Sequence, residues 1–178
     1  MREEIVYIKN FIQQERMLED LLNELPLKQE EINLGFKKVL MPRLVSWHGN
    51  KPYKYSGKIF LPSTWTENLL NIKTKVEEKS GFIFNSVLVN YYRNGNDSIS
   101  WHADDEPEMD NTCIASVSLG APRRFLFKNN VSNDITEYEL GNGDLLLMYG
   151  CQKAYQHSIP KTKKQVLPRL SLTFRNII

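Results

Sequence analysis

A chain of 178 residues with 41% hydrophobic side chains, 25% charged side chains and a formal net charge of +2 has the size and composition of one globular domain, too short for two of ordinary size. No apolar run reaches membrane-spanning length and Met1-Arg2-Glu3-Glu4 opens no signal-peptide pattern, so no membrane is expected and the expected address is cytoplasmic, or nuclear in a eukaryote. Cys113 and Cys151 are only two and lack metal-type spacing, which argues against a disulfide scaffold and reads as two small buried thiols kept reduced.

In chain order, Asn10 is placed to cap a first helix carrying Phe11, Met17, Leu18, Leu21, Leu22 and Leu25 and ending near Pro26. Residues 1 to 31 hold eight acids against four bases, whereas residues 37 to 75 hold eight bases against Glu67 alone. Scattered lysines usually form a solvated surface. Here they alternate with Trp47, Tyr53 and Tyr55, and positive charge beside exposed aromatics suits a nucleic acid strand. His48 reads as a surface or loop residue near that segment. A second helix is predicted from Ser63 or Thr64, with Trp65, Leu69, Ile72 and Val76 as its core stripe and Gly81 as its stop.

From Phe82 the hydrophobic period changes to two. Eight strands are predicted, at 82–93, 98–102, 113–119, 124–128, 135–140, 144–149, 154–159 and 169–177, separated by turns such as Gly141-Asn142-Gly143. Connections too short for helices argue for antiparallel sheets. The fold class is α+β, a double-stranded β-helix (jelly roll) with N-terminal helices packed on one sheet. The single domain 1–178 divides into 1–81, helices and a nucleotide-recognition segment, and 82–178, the jelly-roll catalytic core.

Candidate chemistry centres on His102, Asp104 and His157. Two imidazoles and one carboxylate leave coordination positions open on a divalent metal, an arrangement that suits non-haem Fe(II) oxygenases. An isolated His-x-Asp is more often a solvated turn, so the argument needs Arg169 and Arg175. In 169–175 the apolar residues fall on one strand face and Arg169, Ser171, Thr173 and Arg175 on the other. Inward guanidinium groups are costly unless they meet anions, which points to a small metal-chelating dicarboxylate such as 2-oxoglutarate. The strand separates the two arginines by about 20 Å, so their side chains must lean together. Asn90 and Tyr92, two apart on one strand face, are further donors for it.

These residues resemble the AlkB family of Fe(II)- and 2-oxoglutarate-dependent nucleic acid dealkylases, in the branch that includes the eukaryotic DNA-repair homologues. The similarity runs in order through Pro42-Arg43-Leu44, Tyr53 to Gly57, Asn90-Tyr91-Tyr92, Trp101 to Pro107, Ile114 to Gly120, Gln156 to Pro160 and Pro168 to Arg175. It implies His102, Asp104 and His157 as iron ligands. Asn90, Tyr92, Arg169, Ser171 and Arg175 are implied as 2-oxoglutarate contacts, with Arg169 and Tyr92 at the distal carboxylate and Asn90 and Arg175 nearer the metal. Ser171 stands where many relatives have Asn. Tyr53, Tyr55, Glu106, Arg43 and Phe36 are implied on the substrate side. Residues 32–41 match a segment that in some relatives is a DNA-probing hairpin, with Leu34, Gly35 and Phe36 as its wedge; a core strand containing Phe36 is the other reading.

The implied activity is oxidative demethylation of 1-methyladenine and 3-methylcytosine in alkylated DNA by a monomer using Fe(II), O2 and 2-oxoglutarate and releasing formaldehyde, succinate and CO2. RNA or another methylated molecule is an alternative substrate. A metal-binding jelly roll without oxygenase activity is a third reading, against which Arg169, Arg175 and the open coordination positions speak.

Overall fold

The computed structural model describes residues 4–34, 37–55 and 57–178. Its elements in chain order are β1 (Glu4–Ile8), α1 (Met17–Glu24), β2 (Glu31–Leu34), β3 (Lys37–Leu40), β4 (Leu44–Gly49), β5 (Tyr53–Tyr55), β6 (Lys58–Phe60), α2 (Glu67–Ser80), β7 (Ser86–Tyr92), β8 (Ile99–His102), β9 (Met109–Gly120), β10 (Arg123–Asn129), β11 (Ile135–Leu140), β12 (Asp144–Tyr149), β13 (Tyr155–Ile159) and β14 (Arg169–Ile177). A six-stranded sheet runs β1-β12-β9-β14-β7-β4 and a four-stranded sheet runs β11-β10-β13-β8, while β2-β3 and β5-β6 are hairpins. This is the mostly antiparallel jelly roll that the period-two pattern predicts. No helix among the described residues is long and apolar enough to cross a membrane.

Alternation along the strands builds two cores. Val87, Val89, Val117, Leu170, Leu172 and Phe174 point outward from the large sheet and meet Met17 and Leu21 of α1 and Leu69, Ile72 and Val76 of α2. Both helices therefore cover one face of one sheet. The opposite face carries Leu88 and Tyr92 of β7 and Ile114 of β9 toward Phe125 and Phe127 of the small sheet, and the candidate site lies in this inner layer.

Several boundaries differ from the sequence reading. The first helix begins at Met17, not after Asn10: Asn10 has φ +52°, its N–H donates to Asp144 Oδ1 at 3.0 Å, and Ile12 N–H donates to Gly143 O at 2.9 Å. That contact requires glycine, because a Cβ on Gly143 would stand 2.0 Å from Ile12 O. The second helix starts at Glu67 rather than Ser63 or Thr64, since Ser63 is still extended and donates to Trp47 O at 2.8 Å; Thr66 caps the helix and Gly81 ends it at φ +76°. The strand expected from 82 begins at Ser86, because Phe84 N–H is held by Glu77 Oε1 at 2.7 Å at the foot of α2.

The strand expected from 113 begins at Met109, where a bulge lets Met109 and Asp110 pair with Ile177 and Asn176. Among the described residues of the first 60 lie six further strands, and two of them, β1 and β4, form the edges of the large sheet. His48 is not a surface residue. It lies on β4 at 1% exposure, with Nδ1 2.7 Å from Thr64 O and Nε2 3.1 Å from Ser46 Oγ.

Candidate functional site

His102 ends β8 and His157 lies on the adjoining β13; the two are register partners with ring centroids 4.3 Å apart. Asp104 follows two residues after His102. One ligand atom from each of the three lies within 4.8 Å of the others. His102 Nε2 and His157 Nε2 each stand 3.9 Å from an Asp104 carboxylate oxygen. His102 Nδ1 is 2.8 Å from Ser100 O, and a carbonyl only accepts, so Nδ1 carries the proton and the Nε2 lone pair faces Asp104. His157 is fixed by stacking on Phe125, with centroids 5.2 Å apart. Asp104 is held by its main chain, whose N–H donates to Gln152 Oε1 at 3.0 Å.

Electrostatics keep these groups in metal-binding form. Burial lowers both imidazoles, pushing His157 down to about 3 with His102 adding to the shift, so the rings are neutral donors at neutral pH. Burial alone would raise the Asp104 carboxyl, but Arg175, His157 and His102 together hold it below its ordinary value. Asp104 Oδ2 and His157 Nδ1 are buried without a hydrogen-bond partner among the described residues. An orphaned carboxylate oxygen between two neutral imidazoles is costly until a cation arrives. The donor set fits a divalent first-row metal with open positions.

The arginines divide the work. Arg175 Nη2 donates to Asp104 Oδ1 at 2.6 Å, which puts this guanidinium at the metal end of the cavity. Arg169 is bonded to Ser118 Oγ at 2.7 Å with its guanidinium 5.4 Å from the centroid of the Tyr92 ring. Burial lowers Arg169 to about 10, still a cation at neutral pH. Nε and Nη1 of both arginines lack hydrogen-bond partners among the described residues, so the pair retains donors for an anion. Asn90, Tyr92, Ser171, Thr173 and Arg175 line the cavity, and Ser171 Oγ lies 3.2 Å from Ser116 Oγ.

On the substrate side, the expectation of exposed aromatics among lysines is corrected. Trp47 and Tyr53 are 2% and 1% exposed and stack on each other at 4.7 Å, because β4 and β5 turn both rings inward. Tyr53 lines the cavity, donates to Glu106 Oε1 at 2.7 Å and lies 5.2 Å from the Arg175 guanidinium. Burial pushes Glu106 up, with Arg175 and the Tyr53 hydroxyl opposing it. Arg43 is buried in the cavity wall, donating to Asn90 Oδ1 and Ser98 O. Residues 31–34 and 37–40 do pair as a hairpin; its tip, Gly35 and Phe36, lies outside the described residues, as does the Tyr55 side chain.

Ser116, Ser118, Gln152 and Phe125 escaped assignment from sequence. The serines had a signal, since they alternate with Ala115 and Val117 in 113–119, a stretch otherwise apolar. Gln152 had none, because its partner is a main-chain N–H 48 residues away.

Comparison with known proteins agrees with this geometry. A family model for the 2OG-Fe(II) oxygenase superfamily matches residues 4–175. The chain is 38% identical over 176 residues to human Alpha-ketoglutarate-dependent dioxygenase alkB homolog 3, covering 90% of this chain and 60% of that one. It is 36% identical over 150 residues to mouse DNA oxidative demethylase ALKBH2, covering 78% and 63%. The chain thus spans about 60% of the length of the homolog 3 relatives it matches. A solved structure titled "The structure of OsALKBH1" superimposes with TM-score 0.72 at 18% identity, covering 99% of this chain and 98% of that one, a likeness of fold. With the match running almost end to end and the donor set suited to ferrous iron, the chain belongs to the 2OG-Fe(II) oxygenase superfamily.

Proposed function

We propose that the protein is an oxidative demethylase of N-alkylated bases in DNA, removing the methyl group of 1-methyladenine and 3-methylcytosine. One observation carries the reading: Asp104, with an orphaned oxygen between two neutral imidazoles, is bonded to an arginine that keeps further donors for an anion. A metal and a chelating dicarboxylate complete both sets of unmet bonds at once. The names of the relatives, a dioxygenase and a DNA oxidative demethylase, supply the reaction class.

Iron with 2-oxoglutarate and O2 supplies oxidation of the N-methyl carbon, which leaves as formaldehyde while the cosubstrate becomes succinate and CO2. The chain's own residues bind and orient. His102, Asp104 and His157 hold the metal. Arg175 and Asn90 take the chelating end of 2-oxoglutarate, and Arg169 and Tyr92 take the distal carboxylate, with Ser171 as a shorter polar contact. Tyr53, stacked on Trp47, lines the cavity toward the target base, and the family resemblance assigns Tyr55 and Phe36 to the substrate side. Glu106 places a carboxyl group two residues beyond a metal ligand, where it favours a base made cationic by methylation. A base that cannot pair is also the least costly to flip from a duplex.

The test is mass spectrometry of 1-methyladenine and 3-methylcytosine oligonucleotides, single and double stranded, after incubation with protein, Fe(II) and 2-oxoglutarate. Loss of 14 mass units, about one methylene per lesion, with matching succinate supports the reading. Turnover on RNA oligonucleotides alone moves the substrate class, and no succinate under any condition removes the oxygenase assignment.

A further inference from the structure

Asn90 has a well-fixed backbone and a soft side chain. Its main chain lies on β7, paired on both sides, opposite Val45 of β4 and Ser171 of β14. The terminal torsion of an asparagine is broad and roughly two-fold, so the sheet does not decide whether the amide turns its oxygen or its nitrogen toward the cavity. For a ligand rich in carboxylate oxygens the difference is large: one orientation offers two donors, the other a repelling lone pair.

Arg43 decides it. Its Nε stands 2.6 Å from the Asn90 side chain, and arginine has no acceptor, so the atom it touches must be the amide oxygen. Asn90 Nδ2, across Cγ from that oxygen in the same amide plane, is thereby turned away from Arg43, on a residue that lines the cavity. The guanidinium is itself clasped: Nη1 donates to Ser98 O at 3.3 Å, and Ser98 N–H donates back to Pro42 O at 2.9 Å. Arg43 and Asn90 are each 4% exposed, so water does not compete freely for these bonds.

We propose that Arg43 is a positioning residue for the cosubstrate, holding the Asn90 amide oxygen so that both Nδ2 donors face the dicarboxylate; this rests on reading the cavity as the 2-oxoglutarate site. Arg43 thereby acts through Asn90 rather than on the nucleic acid.

Two substitutions, singly and combined, test it with binding and melting, without turnover. Titration calorimetry of 2-oxoglutarate into Mn(II)-loaded protein should show at least tenfold weaker binding for Arg43→Met, which keeps the apolar stem and frees the amide to turn. Asn90→Asp should bind at least as poorly, because its carboxylate still accepts from Arg43 but offers no donor and adds negative charge. The metal-free Asn90→Asp protein should nevertheless melt no lower than the parent, since Arg43 now meets a charged partner, and adding Arg43→Met to it should lower the melting temperature by more than the two single changes together. If the parent binds 2-oxoglutarate and both single variants bind within twofold of it, the positioning role is overturned and the site assignment stands. If the parent itself shows no saturable binding, the site assignment falls and takes this role with it.

Discussion

At the scale of single residues, the centre is held together by unmet bonds. Asp104→Ala removes the one anionic ligand and the partner of Arg175, leaving a buried guanidinium among two neutral imidazoles. Succinate production should fall at least a thousandfold, measured with saturating Fe(II) and 2-oxoglutarate; turnover at the parent rate removes Asp104 from the ligand set. Glu106→Gln keeps shape and loses charge, so action on cationic 1-methyladenine should drop about tenfold, near 1.4 kcal/mol, relative to a neutral alkylated base. Equal losses on both would end the electrostatic role. His157 carries a pH signature. Its folded value is depressed from about 6.5 to about 3, so the unfolded chain takes up a proton that the folded chain refuses. The stability that this neutral ring contributes is complete above about pH 6.5 and is lost as pH falls toward about 3. Urea titrations of the metal-free protein between pH 7 and 4 should show the decline, and His157→Phe should flatten it.

At the scale of elements, alternation did much of the work of bringing the site together. On β14 the odd positions from Arg169 to Arg175 reach the inner layer and the even ones reach the helices. The reading of 169–175 from sequence rested on this alternation and matches the structure. The N-terminal strands were illegible for a physical reason: β4 is covered on both faces, so Val45, Ser46, Trp47 and His48 are all buried and no period of two survives. Helix α2 is anchored by local chemistry. Thr66 Oγ1 accepts from Leu69 N–H at 3.2 Å, and Thr66→Ala should cost about 1 kcal/mol in urea unfolding with an unchanged slope. A loss near zero would mean that packing of Leu69 and Val76 alone sets the helix start.

At the scale of the molecule, charge is uneven along the chain and becomes local in the fold. The hairpin β2-β3 carries Lys37 and Lys38 exposed, whereas Lys58 pairs with Glu30 and Lys73 pairs with Glu77 at 2.7 Å. The sequence-level excess of bases between 37 and 75 is therefore partly neutralised within the chain, and the free lysines are fewer than the count implies. If Lys37 and Lys38 each meet a phosphate, replacing both by Ala should reduce the salt dependence of single-stranded DNA binding by a slope of about 1.4. Anisotropy titrations at several salt concentrations read this directly, and an unchanged slope would place the nucleic acid elsewhere.

By itself the sequence determined what local periodicity can carry, the jelly roll and the core stripes of both helices, and it nominated His102, Asp104, His157, Arg169 and Arg175 as a set needing a cation and an anion. A period of two tells which side chains share a face, and residue chemistry tells what that face lacks. Neither tells what lies opposite. Only the tertiary structure brought His157 beside His102, stacked Trp47 on Tyr53, buried His48, gave Asp104 its main-chain anchor at Gln152 and turned Arg43 onto Asn90. Each of these joins residues far apart in the chain or on neighbouring strands, and register between strands is set by packing across both sheets at once.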